Sequence, residues 1–553
     1  MSAAVNDPGS AKSFEPIPFR IRLAVTGVRH LADTDAVQRA IAQALHRIRD
    51  ELFDEKSHAI LASSPNTPIA FSALTALAEG AERVLVRGIL RAGGRLDVVL
   101  PVPEEEYLLE LPSDPSRNEF KELALHARWI RYLRRKTHFG AATGAKRRRA
   151  RADEELCRAL VQHCDVVLAV VDEADPSTPA MVRRILHEAD ADGRPIVSIS
   201  PLAPHAVDVR KGNGLSAQAA KWLERYNAAP LPQPHDQLLV HSDKVPVAVV
   251  DAVRDVLEPA FARAERMAMR SQSVYRWAGR IVYFLSPVAV ASVASAILFH
   301  NAHPWGYYIE LLLLLLILGA ITYAHCSRSR KTWMGARVLA ERLRSAVFLA
   351  VAGVEPSSIP IPPYMGMAHE PNYWMNRAFD EIWSRMPSPV ASSASVARDL
   401  AAVVESDWVA DQRRFHRKKI NEAEWKGLTL EHAGWWVFRA ALIVSSAHLL
   451  LPFLPHEWMT ESSLQRAEEF LGVFALMLPA AGASVGGLRA HREYARLARR
   501  SEEMNAALAK LERQYKAVAS PDEFKALVRQ TEEVMLSETQ GWLMLMGGVK
   551  LSA

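Results

Sequence analysis

Cysteine is scarce in this chain of 553 residues, which contains only Cys157, Cys164 and Cys326. Three cysteines are too few for a disulfide framework, so the sequence fits a reducing compartment. They do not form a metal-ligand cluster either, and we expect no metal site. A strong charge bias is also missing, because the net charge is only +5 and the basic residues cluster beside apolar segments. We therefore expect no nucleic-acid partner.

An apolar leader is missing as well. The stretch from Met1 to Phe19 has no continuous apolar core, so we expect a disordered leader over residues 1–17 and no cleavable signal peptide. The mean hydropathy of −0.03 looks like that of a soluble protein. That average hides two strongly apolar regions, which charged segments dilute.

The first apolar region predicts a transmembrane hairpin. Ile281–Asn301 contains no Asp, Glu, Lys or Arg, and Leu311–Ala324 opens with six leucines. Each arm reaches the roughly 20 residues that a bilayer requires if the second starts at Trp305. The alternative is a buried hairpin in a soluble helical protein, but a helix that is apolar all round favours the membrane.

Two further spans are predicted at Trp435–Leu454 and Phe470–Leu488. Arg and Lys residues lie before and after each hairpin. The loop between the arms of the first hairpin has no Arg or Lys, and the loop of the second is acidic. The positive-inside rule then places both termini in the cytoplasm. We expect a multi-pass protein of the bacterial inner membrane, with the lipid bilayer as a partner.

Apolar strands alternate with helices in the first third of the chain. This alternation predicts a doubly wound, Rossmann-like parallel sheet covered on both faces. One more helix is expected over Phe120–Leu133. The predicted strands are Arg20–Val25, Ile69–Leu74, Leu96–Leu100, Asp165–Val171 and Pro195–Ile199.

The expected fold class is therefore α/β plus membrane all-α. A Rossmann-like N-terminal domain is followed by four transmembrane helices with cytosolic helical segments. The predicted boundaries are a leader over 1–17, the Rossmann-like domain over 18–205, a connecting helical region over 206–275, the first hairpin over 276–327, a cytosolic helical region over 328–430, the second hairpin over 431–489 and a helical tail over 490–553.

Four short motifs carry a family resemblance. In chain order they are VTGVRHL after the first strand, ALAEGAERV opening a helix, VVLPVPEEEY after a strand, and CDVVLAVVDEADPSTPA. Residues 18–205 thereby resemble the SLOG superfamily, which includes DprA-like and LOG-like Rossmann domains and the ligand-sensing region of melastatin-type TRP channels. The resemblance implies binding of a nucleotide, or of an ADP-ribose or NAD-derived ligand.

The chain departs from the LOG phosphoribohydrolases, whose PGGxGT loop it lacks. Asp175–Pro179 stands where a Gly-rich loop would be expected, and its hydroxyl and N–H groups can still meet a phosphate at a helix start. Without glycines the backbone cannot approach as closely. We therefore predict no catalytic residues. The predicted ligand-binding set is Thr26, Gly27, Val28, Arg29, Glu79, Gly80, Arg83, Asp172, Ser177 and Thr178.

Each part of this set has a structural alternative. Gly27 could serve only a tight strand-to-helix turn, and Glu79 could only cap a helix. The carboxylates of Glu104–Glu106 could supply a general acid or base, but a run of carboxylates more often forms a solvated face. The basic run Lys146–Arg151 could meet lipid headgroups or phosphates, or could be a solvated loop that leads into a helix.

Three residues stand out in the membrane region. Glu310 could line a pore or sit among the headgroups. Gly482 and Gly486 have the spacing of a close helix contact, or mark a kink without a partner.

Three segments beside the predicted spans are similar to the cytosolic flanks of SLATT-type membrane effectors. They are AERLR, WVADQRRFHRKKI and HREYARLARRSEEM. SLATT-type effectors are predicted membrane modules found beside nucleotide sensors in bacterial conflict systems.

The sequence thus predicts a membrane sensor–effector that binds a small nucleotide-type ligand and gates membrane permeability, as a homo-oligomer, in antiphage defence. Two alternatives stay open. One is a membrane-anchored nucleotide-processing enzyme of LOG-like hydrolase type, against which the missing PGGxGT loop counts. The other is a non-conducting scaffold that the membrane helices only anchor.

Overall fold

The computed structural model describes residues 15–133, 145–172, 175–203, 206–230, 244–299, 305–356, 374–387, 394–453 and 460–548. These residues form two compact units. The sheet unit contains the chain up to Ala228 and also a helix from much later in the sequence, Trp374–Trp383. The helical unit contains the remaining described residues.

The sheet unit alternates strands and helices as far as its fifth strand. Each strand is largely buried, and the helices between strands carry an apolar stripe on one side. Its elements are β1 (Phe19–Gly27), α1 (Thr34–Glu51), α2 (Glu55–Ala62), β2 (Ile69–Thr75), α3 (Ala81–Arg91), β3 (Arg95–Leu100), α4 (Glu104–Leu109), α5 (Asp114–Ala124), β4 (Ala127–Tyr132), α6 (Ala145–His163), β5 (Val166–Val170), α7 (Ala180–Ala191), β6 (Ile196–Ile199), β7 (Val207–Arg210) and α8 (Gln218–Asn227).

The seven strands form one sheet in the order β4-β3-β2-β1-β5-β6-β7. All neighbours are parallel except β6 and β7, which pair antiparallel. The predicted parallel sheet and its five strands are confirmed, each within two residues at either end. The antiparallel edge strand β7 was not predicted, because Val207–Arg210 is too short to show a periodicity.

One predicted helix is wrong. The sequence pattern placed a helix over Phe120–Leu133, but α5 ends at Ala124 and Ala127–Tyr132 forms strand β4 beside β3. This strand is only half-buried and lies at the sheet edge, so it lacks the continuous apolar run of the inner strands. Its aromatic and branched side chains suit a strand, and the ladder with β3 decides the outcome.

The helix Trp374–Trp383, α13 in chain order, packs on the amino ends of the strands. Arg377 pairs with Asp165, which immediately precedes β5, at 2.7 Å. Glu381 pairs with Arg20 at 3.0 Å and with Arg95 at 2.9 Å. Its first residue, a tryptophan, is fully buried. The helix is thus an integral part of the sheet unit.

The helical unit consists of helices and two π-helical turns. Its elements are α9 (Val247–Ala252), a π-helical turn (Val253–Leu257), α10 (Glu258–Leu298), α11 (Trp305–Cys326), α12 (Ser329–Ala352), α14 (Ala394–Val404), a second π-helical turn (Glu405–Val409), α15 (Ala410–Leu450) with a short 3₁₀ turn (Leu451–Phe453), α16 (Glu461–Arg492), α17 (Tyr494–Tyr515) and α18 (Pro521–Gly548).

Four of these helical stretches are long and apolar enough to cross a membrane. They contain α10, α11, α15 and α16, in agreement with the four predicted spans. Within the helical unit these helices lie side by side in the order α11, α10, α16, α15. Their outward side chains are largely exposed, including most of the leucines of α11, as expected for surfaces that face lipid.

Candidate functional site

The strand order reverses direction at β1. The chain proceeds from β1 through β2 and β3 to one edge of the sheet, and β5 starts the other half on the opposite side of β1. In open α/β sheets, ligands bind outside the carboxyl ends of the strands at such a point. The loops that follow β1 and β5 meet here, and together with the last two residues of β1 they contain seven of the ten predicted ligand-binding residues.

The loop after β1 is held by backbone hydrogen bonds on both sides. The N–H of Val28 donates to the carbonyl of Val170 at 3.0 Å, and the N–H of Ala81 donates to the carbonyl of Val28 at 3.0 Å. A Cβ on Gly27 would lie 2.7 Å from both Val170 O and Ala81 Cβ. The structural alternative for Gly27 is therefore real, because strand, helix and loop meet too closely there for a side chain. The next residue but one, Arg29, is exposed.

The loop before α3 lies directly against this turn. Gly80 has a φ of 93°, and a Cβ there would overlap the backbone carbonyl of Arg29. Leu77 also adopts a left-handed conformation, with a φ of 57°, and its N–H donates to the hydroxyl of Thr75 at 3.0 Å. Strained backbone of this kind is often found at functional sites. Glu79, between these two residues, is half-buried.

A buried carboxyl group that the sequence did not single out lies beneath this loop. Glu82 Oε2 accepts from the Thr75 hydroxyl at 2.5 Å and from the Ala78 N–H at 2.9 Å. Burial raises the pKa of the Glu82 carboxyl, although these hydrogen bonds lower it. Its position in the first turn of α3 is a weak sequence signal, because capping carboxylates are common there.

The side chain of Arg83 forms an ion pair and hydrogen bonds within the sheet unit. Its side chain is 1% exposed and pairs with Glu119 of α5 at 2.7 Å. Its Nη1 also donates to Ser116 at 3.1 Å, and its Nε donates to the carbonyl of Leu77 at 3.2 Å. Only Nη2 lacks a partner among the described residues, and it is buried. The predicted phosphate contact of Arg83 could use that nitrogen alone.

In the loop after β5, the hydroxyl groups of Ser177 and Thr178 form hydrogen bonds within the loop. The Thr178 hydroxyl donates to the carbonyl of Asp172 at 2.9 Å, and the Thr178 side chain is buried. The Ser177 N–H and hydroxyl both reach the Asp175 carboxylate, at 2.8 and 2.6 Å, and lower its pKa. These hydrogen bonds shape the loop, so a ligand would meet Ser177 more readily than Thr178.

At the end of β1, the hydroxyl of Thr26 is buried and has no hydrogen-bond partner among the described residues.

In α4, Tyr107 is buried and its pKa is raised by burial, whereas Glu105 is exposed. Glu104 accepts from the hydroxyl of Tyr132 at 3.4 Å. Of this run, Glu105 thus lies at the surface, as the structural alternative expects, and Glu104 and Glu106 are half-buried. In the basic run, Arg149 pairs with Glu110 and Asp153 within the sheet unit.

Glu310 lies on the side of α11 that packs against α10. It is half-buried and one turn after Gly306, whose Cβ would lie 2.6 Å from Ala296 Cβ of α10. Gly482 lines a groove of about 490 Å³ between α15 and α16, and a Cβ placed on it would lie 3.6 Å from Val437. A Cβ on Gly486 would meet open space among the described residues. Of these two glycines, only Gly482 therefore faces a neighbouring helix among the described residues, and the distance is that of an ordinary contact.

The described residues contain no group of His, Cys, Asp and Glu side chains arranged to hold a metal ion. What the carboxyl edge offers is an exposed guanidinium at Arg29, backbone turns held by Gly27 and Gly80, and the start of α3. This combination suits a small anionic ligand. No protein family matches the chain, and no curated protein or solved structure is detectably similar to it.

Proposed function

We propose that this chain is a membrane sensor–effector. Its sheet unit binds a nucleotide, or an ADP-ribose or NAD-derived ligand, at the carboxyl edge near Arg29. Ligand binding changes the arrangement of α10, α11, α15 and α16 in a homo-oligomer, and membrane permeability changes as a result. Antiphage defence in a bacterial inner membrane is the biological setting that the SLOG and SLATT resemblances suggest.

The position of α13 is the observation that carries this proposal. In sequence α13 lies between the two membrane hairpins, yet it packs within the sheet unit through Arg377 and Glu381. The chain therefore leaves the sheet unit for the helical unit on both sides of α13, as it also does after Ala228. A change in the sheet unit can be transmitted along these three connections without a further partner.

Such a signal requires a ligand that binds one arrangement of the protein better than the other. A preference of about 1.4 kcal/mol corresponds to a tenfold shift in the equilibrium. A charged hydrogen bond from Arg29 to a phosphate contributes about 1.5–3 kcal/mol, which is enough to supply such a preference.

The orientation in the membrane is part of the proposal. Arg276 and Arg280 precede the apolar part of α10, and Arg328 and Arg330 follow α11. Arg489 and the arginines after it follow the apolar part of α16. The positive-inside rule therefore supports placing both chain termini, and with them the sheet unit, on the cytoplasmic side.

A ligand screen on the purified full-length protein tests the proposal. Thermal unfolding is measured with nucleotides, NAD and ADP-ribose derivatives, and a ligand is expected to raise the unfolding temperature. Arg29→Ala should weaken its binding by about 10- to 100-fold. Arg91→Ala is the matched control, because Arg91 is an exposed arginine of the same unit in the last turn of α3.

The same ligand is then added to liposomes that contain the protein. Ligand-dependent flux that is lost in Arg29→Ala supports the sensor–effector. Ligand turnover without flux, detected by chromatography, favours the membrane-anchored enzyme. Binding without flux or turnover favours the scaffold. A chain that remains in the supernatant after lysis and ultracentrifugation without detergent contradicts all three.

A further inference from the structure

The helical unit contains the same sequence of parts twice. In each half, a five-residue π-helical turn leads directly into a helix of 41 residues, α10 in the first half and α15 in the second. A returning apolar helix follows, α11 or α16. It ends at a single non-glycine residue in the left-handed conformation, Arg328 or Glu493, with φ values of 49° and 47°. A further helix, α12 or α17, then begins.

The two halves also pack in the same way. The long helix α10 packs along α11 and α12, and the long helix α15 packs along α16 and α17. Two rare features, a π-helical turn and a left-handed non-glycine residue, recur at corresponding places. We treat the halves as structural repeats on this basis.

The position-by-position correspondence can be checked on the returning helices. Counted back from the left-handed residue, Ala320 and Ala324 of α11 correspond to Val485 and Arg489 of α16. Ala320 and Ala324 are the buried residues of α11, and α11 packs chiefly along α10. Val485 lies against Gly434 of α15, and Arg489 pairs with a glutamate of α15 at 2.9 Å. Equivalent positions are thus buried in α11 or contact the long helix of the same half in α16.

The repeats follow one another in a row. In the order α11, α10, α16, α15, the first two helices form one hairpin and the last two form the other. A shift along the row by two helices places the first hairpin on the second. The contact between α10 and α16 therefore joins the end of one repeat to the start of the next. A Cβ on Gly487 would lie 2.7 Å from the ring of Tyr283, and one on Gly472 would lie 2.8 Å from Leu298.

The row has two free ends whose faces correspond to this internal contact. Trp435 occupies the position in α15 that Tyr283 occupies in α10, and Leu450 ends α15 as Leu298 ends α10. Tyr283 and Leu298 are half-buried, whereas Trp435 and Leu450 are 56% and 60% exposed. Among the described residues, no helix covers this face of α15 as α16 covers α10.

The other free end shows the same relation. Gly472 and Gly487 of α16 correspond to Tyr307 and Thr322 of α11 when counted back from the left-handed residues. Tyr307 is 47% exposed and Thr322 is also exposed. A continuous strip of exposed leucines lies between them on α11, at positions that include Leu311, Leu315 and Leu318.

We propose that a second copy of this chain places its α11 against the free face of α15, repeating the contact between α10 and α16. Continuity with that internal contact identifies the occupant as another copy. The contact is head-to-tail, so successive copies form a ring if the rotation closes. Thr322 and Tyr307 replace glycines, so the helices stand further apart than within one chain, and the contact between copies is the weaker one.

This inference names the interface of the homo-oligomer in the proposed function, and it rests on that proposal only for the membrane location. Cysteine cross-linking in native membranes tests it, in a Cys326→Ser background because Cys326 is the exposed native thiol. Trp435→Cys and Thr322→Cys are placed in one chain. Oxidation should then give a ladder of species at multiples of 61.4 kDa on a non-reducing gel.

The direction of the contact is tested with single variants. Neither Trp435→Cys nor Thr322→Cys alone should cross-link, because each cysteine would face a different residue of the neighbouring copy. Co-expression of the two single variants should give dimers and no longer species. Cross-linking of either single variant would show a twofold contact and would overturn the proposal.

Depth is tested with Trp435→Cys and Tyr307→Cys, which lie near opposite ends of the apolar parts of α15 and α11 and should not cross-link. The pair Tyr283→Cys and Gly487→Cys is the control for folding, because it should cross-link within one chain. Because the helices of different copies stand further apart, the Trp435–Thr322 pair is also treated with a longer bifunctional thiol reagent. If the control cross-links and this pair does so neither on oxidation nor with that reagent, the free faces meet lipid and the proposal is wrong. Ligand-dependent thermal shifts would be unaffected by that result, so the proposed function would be judged separately.

Discussion

At the amino edge of the sheet, Arg377 and Glu381 of α13 form ion pairs with Asp165 and Arg20, whereas at the carboxyl edge Arg29 is exposed and forms no ion pair among the described residues. The same sheet thus has one edge whose charges are paired within the unit and one edge where a charge is left accessible. Paired charges hold a structure together, and an accessible charge is available to a ligand. The comparison assigns architecture to one edge and recognition to the other.

Removal of Asp165 should have the largest effect. The carboxylate of Asp165, which is 11% exposed, accepts hydrogen bonds from the side chains of Arg22 and Arg377, so Asp165→Ala leaves two partly buried guanidinium groups without it. We expect a loss of about 3–5 kcal/mol in the free energy of unfolding of the sheet unit, measured by denaturant unfolding in detergent. Asp190→Ala is the control, because its pair with Arg210 is exposed and should contribute about 1 kcal/mol or less. Equal effects of the two variants would contradict the difference between the edges.

Acid should weaken the amino edge through the same carboxylate. Burial alone would raise the pKa of Asp165, but the guanidinium groups of Arg22 and Arg377 hold it well below its usual range. A carboxyl group with a depressed pKa stabilises the fold fully above its unfolded pKa of about 3.9, and this stabilisation is lost as the pH falls below that value. Unfolding temperatures measured from pH 6 down to pH 2 should therefore fall less steeply in Asp165→Asn than in the parent. A parallel decline in both proteins would show that Asp165 does not carry the effect.

A side chain at Gly80 should disturb the carboxyl edge by a smaller amount. Gly80→Ala introduces a Cβ against the carbonyl of Arg29 and forces alanine into a φ of 93°. Gly93→Ala is the matched control, since Gly93 has a φ of 77° and a Cβ there would meet no atom within 4 Å. The control should lose about 1 kcal/mol of stability from the backbone conformation alone. Gly80→Ala should lose about 1–2 kcal/mol more because the two loops must separate.

Ligand binding gives the second measurement for this pair. The loop that Gly80 supports contains Arg29, so Gly80→Ala should also weaken the ligand-dependent thermal shift, and Gly93→Ala should not. Similar stability losses in both variants would mean that the close approach to Arg29 costs little and that the loop can adjust.

The inner strands and the membrane helices could be predicted from the sequence because both have long apolar runs. Val166–Val170 is fully buried and its composition alone predicts a strand, and α11 contains six consecutive leucines. The strand β4 could not be predicted, because its register with β3 is a tertiary interaction and its own pattern also suits a helix end. Burial on both sides leaves a signal in the sequence, and pairing at an edge does not.

The docking of α13 was also beyond the sequence. Arg377 and Asp165 are far apart in the chain, and nothing in the segment around Arg377 identifies a partner. The same limit applies to Arg83, which sequence reasoning placed at a phosphate and which pairs with Glu119. Residue type and local spacing indicate which side chains can bind an anion. They do not indicate which of them the fold already uses.

The smallest change in stability is expected from substitutions in the loop after β5. Two variants there distinguish a hydroxyl that holds the loop together from one that is accessible to a ligand. Thr178→Val removes the hydrogen bond to the carbonyl of Asp172 at nearly constant volume and should cost about 1 kcal/mol in denaturant unfolding. Ser177→Ala, at an exposed position, should change stability by about 0.5 kcal/mol or less. The ligand-dependent thermal shift should show the reverse order, with the larger loss in Ser177→Ala. If Thr178→Val abolishes the ligand response and leaves stability unchanged, the buried hydroxyl is a ligand contact, and the carboxyl edge opens further than this structure shows.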